Sequence, residues 1–255
     1  MRIILIIHFI LIVYLLTMTF CSKSDKEDLS LSQKEYLELG LPEYNRVWTQ
    51  DDYINSFIEL NKLKLTNPFS LPRKNSKKSG VYFDRMLSDE NFSFLYSDTL
   101  SLSEKAYQIQ YYSSIQNELI RLYTNVLNRD QYYHEELVEL YIFGLNVTQK
   151  KLDLANKIMN SEDERDKRMQ YGLYSVQLGY LEMVLYILEN HNISASYNKK
   201  DLERLSGEVS ESIKNNKEWM KPNDAERLKQ KLQIVADNTP SEIARNNYLE
   251  LIENW

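Results

Sequence analysis

The stretch SEDERDKRMQYGLYSVQLGYLEMVLYILE, residues 161–189, decides the fold. Met169, Leu173, Val176, Tyr180, Met183 and Ile187 recur at spacings of 4, 3, 4, 3 and 4, the period of one helix face. Tyr174, Leu178, Leu181, Leu185 and Leu188 trace a second stripe beside the first. Two adjacent stripes make a broad apolar face, which predicts a central helix with more than one neighbour. Ser161 and Glu164 have the spacing of a capping box at its start. Gly172 and Gly179 each cost a helix about 1 kcal/mol relative to Ala. Close approach of another helix is the expected compensation, with Gly144 playing the same part on the partner helix.

Upstream, the pattern predicts a helix over about 131–159. Leu137, Leu140, Gly144, Val147, Leu154 and Ile158 lie on one side of it. Before it, Ser101 and Glu104 form a second capping box, followed by Ile115, Leu119, Leu122 and Val126 in one stripe. Asn128 and Asp130 mark a break between these two helices. Thr49 can cap a helix to about Leu65, with Asp51 and Asp52 at its positive end. Residues 66–88, with Pro68, Pro72 and Gly80, read as irregular, and a short helix near 89–96 follows. Downstream, shorter helices are expected at about 199–219, 223–236 and 240–254. Thr239-Pro240-Ser241-Glu242 reads as the start of the last, with Thr239 as cap.

The chain has only 6 Gly and 5 Pro in 255 residues, so helices run with few breakers. The best strand candidate, Val81-Tyr82-Phe83, is too short to found a sheet. The expected fold is all-α: a bundle of long antiparallel helices over about 101–190 with a shorter helical C-terminal extension over about 199–254. An irregular α-solenoid is the second reading. A formal net charge of −6 gives no global reason to bind nucleic acid, whose phosphates would be repelled.

The N-terminus carries a different signal. Arg2 precedes an apolar run from Ile3 to Leu16, and the chain turns polar immediately after Cys21, its one cysteine. A positive start, a short apolar core and a sharp polar edge are the pattern of an export signal. Leu15-Leu16-Thr17-Met18-Thr19-Phe20-Cys21 resembles the lipobox of bacterial lipoproteins, with Phe20 where that class carries a small residue. The resemblance implies a signal peptide over 1–20, a lipid on Cys21, and a membrane-anchored protein of the bacterial cell envelope, periplasmic or surface-exposed. Residues 21–34 would then be the lipidated cysteine and a flexible tether, and 35–255 the helical domain. An uncleaved anchor helix over 3–20 is the alternative. With Cys21 committed to lipid, the domain has no thiol for a disulfide or a cysteine-based site.

Motif by motif, the domain offers little chemistry. His134 lacks the second histidine of a zinc helix, because position 138 is Val. No metal and no cofactor are expected, and no catalytic residue is assigned. Glu135-Glu136 reads as a solvated helix start whose charges suit the N-terminal dipole. Arg73, Lys74, Lys77 and Lys78 form the one basic stretch, a candidate anion-binding loop, with an exposed mobile loop as the plainer reading. Tyr107, Tyr111, Tyr112, Tyr132 and Tyr133 are a candidate partner-binding face for an unknown protein, with the edge of the core as the plainer reading. Asn91-Phe92-Ser93 is one of three chance matches to the N-glycan sequon. The function expected from the sequence is binding by a lipid-anchored, non-enzymatic envelope protein. The alternative is an envelope enzyme, such as a glycan hydrolase, whose carboxylates converge only in three dimensions.

Overall fold

The computed structural model describes residues 28–124, 132–159, 164–217 and 220–255. The export segment, Cys21, the break at Asn128 and Asp130 and the Ser161 cap lie outside the described residues. The described chain is all-α, without a strand. A short helix opens it, α1 (Gln33–Glu38), followed after a loop by α2 (Gln50–Thr66). Next come α3 (Gly80–Met86) and a 3-10 helix (Asp89–Tyr96). The long helices follow as α4 (Leu102–Thr124), α5 (His134–Met159) and α6 (Glu164–Glu189). A single turn, α7 (His191–Ser194), leads to α8 (Lys199–Asn216), α9 (Pro222–Asn238) and α10 (Glu242–Glu253). Among the described residues no helix is long and apolar enough to cross a membrane.

The most embedded helix is α5. It packs against α4, α6 and α8, whereas α6 meets α5, α7 and α9. Gly144 explains how α5 takes two long neighbours on one face. A Cβ there would lie 1.4 Å from Gln116 Nε2 of α4 and 2.2 Å from the Tyr180 ring of α6. Tyr180 donates its hydroxyl to Tyr141 O at 3.1 Å, closing the crossing with a hydrogen bond to the α5 backbone. Gln116 stands over Gly144, and Gln110 bonds Lys151 at 3.3 Å. Numbers therefore fall along α4 as they rise along α5, so the two are antiparallel. The other two glycines behave differently from expectation. Nothing lies within 4 Å of a Cβ built on Gly172 or Gly179, so no helix crosses there.

Capping follows the sequence closely at two starts. Thr49 and Asp52 exchange hydrogen bonds in a capping box, and Ser101 and Glu104 do the same. Arg46 grips Asp52 with two bonds, at 2.6 and 2.7 Å. At α10 the cap is Ser241, which accepts from Ala244 N–H at 3.3 Å, two residues later than expected. Thr239 is already engaged as the end of α9, donating its N–H to Val235 O.

The segment 66–88 is less irregular than its sequence suggests. Val81-Tyr82-Phe83, the strand candidate, lies inside α3. Buried tyrosines fasten the rest. Tyr36 donates to Ser70 O at 2.7 Å, Tyr123 to Pro72 O at 2.7 Å and Tyr133 to Pro68 O at 2.9 Å. Asn91 is a second fastening point and is 2% exposed. Its Oδ1 accepts from Trp48 N–H at 2.8 Å, and its Nδ2 donates to Tyr53 Oη at 2.7 Å and Arg85 O at 2.8 Å. The tether expected over 21–34 is shortened, because from Asp28 onward the chain is docked. Lys78 Nζ donates to Asp28 O at 3.1 Å, Ser79 Oγ donates to Ser30 Oγ at 2.8 Å, and Ser32 caps α1.

Two outcomes follow. Gly144→Ala should lower stability by ~3 kcal/mol or more, because the new methyl has no room between Gln116 and Tyr180; chemical denaturation measures it. Second, the hydrogen bond from Arg46 holds the Asp52 carboxyl down at about 2, against a usual 3.8. Stability from this pair is complete above about pH 4 and is lost as pH falls through about 2. Arg46 is partly exposed and Thr49 shares in the shift, so the pair itself contributes about 1 kcal/mol. Asp52→Asn should remove that contribution and flatten the acid limb of the pH–stability curve.

Candidate functional site

Because α4 and α6 straddle α5, a furrow runs between them with α5 as its floor. Its outer part is a cleft of about 440 Å³ lined by Ser103, Ala106, Tyr107 and Gln110 of α4 and by Gly172, Leu173 and Val176 of α6. Its inner part is a recess of about 150 Å³ that reaches Ser113, Gln116, Thr148, Lys151, Gly179, Tyr180 and Met183. Val176 borders both. The α6 wall is the series Gly172, Val176, Gly179, Met183, which is one helical stripe. The two glycines keep that wall low. They cost helix stability and nothing packs on them, so the open volume is what their small size provides.

Lys151 belongs to the floor. It follows Gly144 and Thr148 and precedes Ala155 at helical spacing, on a side of α5 that is otherwise small and buried. The side chain is 1% exposed. Its Nζ donates to Gln110 Oε1 at 3.3 Å, a bond to a neutral amide on an exposed residue. Among the described residues no carboxylate is paired with it, although Lys150 beside it meets Asp89 at 3.4 Å. The titratable groups lining the furrow around it are the phenols of Tyr180 on α6 and Tyr107 on α4. Burial without a counter-charge pushes the Lys151 ammonium down to about 8. The hydroxyls of Ser113, Thr148 and Tyr180 donate to the carbonyls of Ile109, Gly144 and Tyr141, at 3.2, 2.6 and 3.1 Å. They therefore present lone pairs, not protons, to the recess.

The basic stretch does not form a free anion-binding loop. Arg73 lies over the Tyr132 ring at 4.5 Å and meets Glu136 Oε1 at 3.5 Å. Lys74 donates its backbone N–H to the same oxygen at 2.9 Å and pairs through its ammonium with Glu139. Arg204 of α8 closes on Glu139 at 2.6 Å. Glu136 is fully buried, and burial holds its carboxyl above the usual range even beside Arg73. The solvated acidic helix start expected at Glu135-Glu136 is thus half wrong: Glu136 is the internal counter-ion of the loop. Glu139 is also buried to a degree, but bonds from Arg204 and Lys74 prevail and hold it below the usual range. Lys78 is tied to Asp28, and Lys77 stays exposed.

The tyrosine face is also dispersed. Tyr112 and Tyr133 are core residues, and Tyr112 donates to Asn91 O at 3.0 Å. Tyr111 is half-buried near Gln50, and Tyr132 is half-buried beneath Arg73. Only Tyr107 is broadly exposed, at 72%, and it lines the outer cleft. Tyr107, Tyr111 and Tyr112 lie on α4 and Tyr132 and Tyr133 in the turn that leads into α5, and burial divides them between core, edge and surface, so no single patch forms. Among the described residues no cluster of His, Cys, Asp and Glu could hold a metal ion.

Lys151 was missed from the sequence, yet a signal was present: a lysine in phase with Gly144, Thr148 and Ala155. No family model, curated protein or solved structure matches this chain.

Lys151 carries its own test. In the unfolded chain it titrates at the usual 10.5, and in the fold at about 8. The fold is therefore penalised below about pH 8, by on the order of 3 kcal/mol, and relieved as pH rises toward 10.5. Lys151→Met should be more stable than the parent at pH 7, with the difference shrinking toward pH 10. Paired thermal melts at the two pH values check both the sign and the trend.

Proposed function

We propose that this protein is exported, fastened to a bacterial envelope membrane by lipid on Cys21, and acts by binding a small ligand in the α4–α6 furrow. The observation that carries the binding reading is the pair Gly172 and Gly179, which hold open a furrow over a buried cation. A helix interior normally gains from replacing glycine, and here no contact forbids it. The outer cleft lies within the size range of small-molecule sites and is lined mainly by apolar side chains. The anchor reading is supported by the apolar run before Cys21 and the polar edge after it. The carboxylates Glu136 and Glu139 of α5 are held by Arg73, Lys74 and Arg204. They act as counter-ions, which favours binding over carboxylate catalysis.

Two measurements test this reading. Cys21→Ala should shift the protein from the membrane fraction to the soluble fraction of its host. Gly172→Leu with Gly179→Leu should fill the furrow and abolish uptake of a neutral apolar dye such as Nile red while the protein stays folded by circular dichroism. Equal dye uptake by parent and filled variant would remove the furrow as the site.

A further inference from the structure

Resting on that furrow reading, we propose that its ligand is an amphipathic carboxylic acid, its carboxylate seated on Lys151 Nζ in place of Gln110 and its apolar tail along the outer cleft. Charge is the first reason. Lys151 is a buried cation whose ammonium, among the described residues, makes one hydrogen bond, to a neutral amide, and an ammonium has three protons to donate. A buried charge without a counter-charge is costly, and an anion that arrives with its own apolar body relieves that cost.

The number of charges is the second reason. One ammonium is present in the recess. Ser113, Thr148 and Tyr180 have already committed their protons to helix carbonyls. The amides of Gln116, which donates to Leu140 O, and of Asn117 also line the recess but carry no charge, so one cation matches one negative charge and a doubly charged phosphate monoester is disfavoured against a carboxylate. Accessibility is the third reason. Gln110 lines the outer cleft and holds Lys151 with a bond of 3.3 Å. An exposed amide at that distance is readily exchanged for a carboxylate oxygen, which makes the stronger, charge-assisted bond. Ala106, Leu173 and Val176 then provide the apolar wall for the tail.

The test uses the full chain, Nile red as reporter, and dodecanoic acid, dodecanol, dodecyl phosphate and dodecanal as competitors, all at pH 7. In the parent protein the acid should displace the dye at least about 10-fold more tightly than the alcohol, the contribution of one hydrogen bond to a charged group. Lys151→Met should abolish that preference. Gln110→Glu should abolish it too, because an internal carboxylate then holds the ammonium; this conservative surface change does not threaten the fold. Equal affinity for acid and alcohol in the parent would overturn the proposal. So would a preference that survives Lys151→Met, tighter binding of dodecyl phosphate, or dodecanal trapped on Lys151 by borohydride, which would make the site one for carbonyl compounds. If the dye binds and the filled variant excludes it while the acid is not preferred, the ligand class fails and the furrow stands. If the filled variant takes up dye like the parent, the furrow itself fails.

Discussion

Three long helices share one meeting point because α5 has no side chain at position 144. Gln116 and Tyr180 occupy the space that a Cβ would need, one from each neighbour. That single steric allowance lets α4 and α6 approach the same face of α5. Every later feature of the bundle inherits it. With both neighbours brought to one face, the gap between them becomes a furrow whose floor is α5. The position of Lys151, two turns along from Gly144 on that floor, is then a geometric consequence of the 3.6-residue period.

The interior carries buried polar groups, and their polarity is organised. Tyrosine rings fill volume while their hydroxyls satisfy carbonyls that the irregular segment leaves unpaired. A buried carbonyl without a donor is expensive, so a non-helical stretch packed under helices needs such partners. Tyr36 supplies one from α1, Tyr123 one from α4 and Tyr133 one from the turn that leads into α5. The ion network of Arg73, Lys74, Glu136, Glu139 and Arg204 ties the same stretch to α5 and α8. Its worth lies in fixing geometry more than in net stability, since desolvating buried ions offsets much of their attraction.

Helix positions and the all-α class were legible from apolar spacing and capping residues, because both are local. The Thr49 cap and the Ser101–Glu104 box needed only three-residue proximity to be read. What failed was non-local. Glu136 looked like a surface charge because its counter-ion lies 63 residues earlier. Tyr112 and Tyr133 looked available because a tyrosine pattern does not reveal which carbonyl awaits its hydroxyl. Gly172 and Gly179 were read as crossing points, although a glycine gives the same letter whether it admits a helix or leaves a hollow. Lys151 was within reach of periodicity alone, since a lysine in phase with small buried residues breaks the pattern of its own stripe.

Asn91 has a consequence outside the folded molecule. Its amide is saturated by Trp48, Tyr53 and Arg85, and the letters Asn91-Phe92-Ser93 spell a sugar-acceptor site. An oligosaccharyltransferase acts on the chain as it emerges, before that amide finds its partners. In a yeast or animal secretory line, a sugar added there would sit where the core must close. Production of this protein for study therefore belongs in a host that does not decorate asparagine.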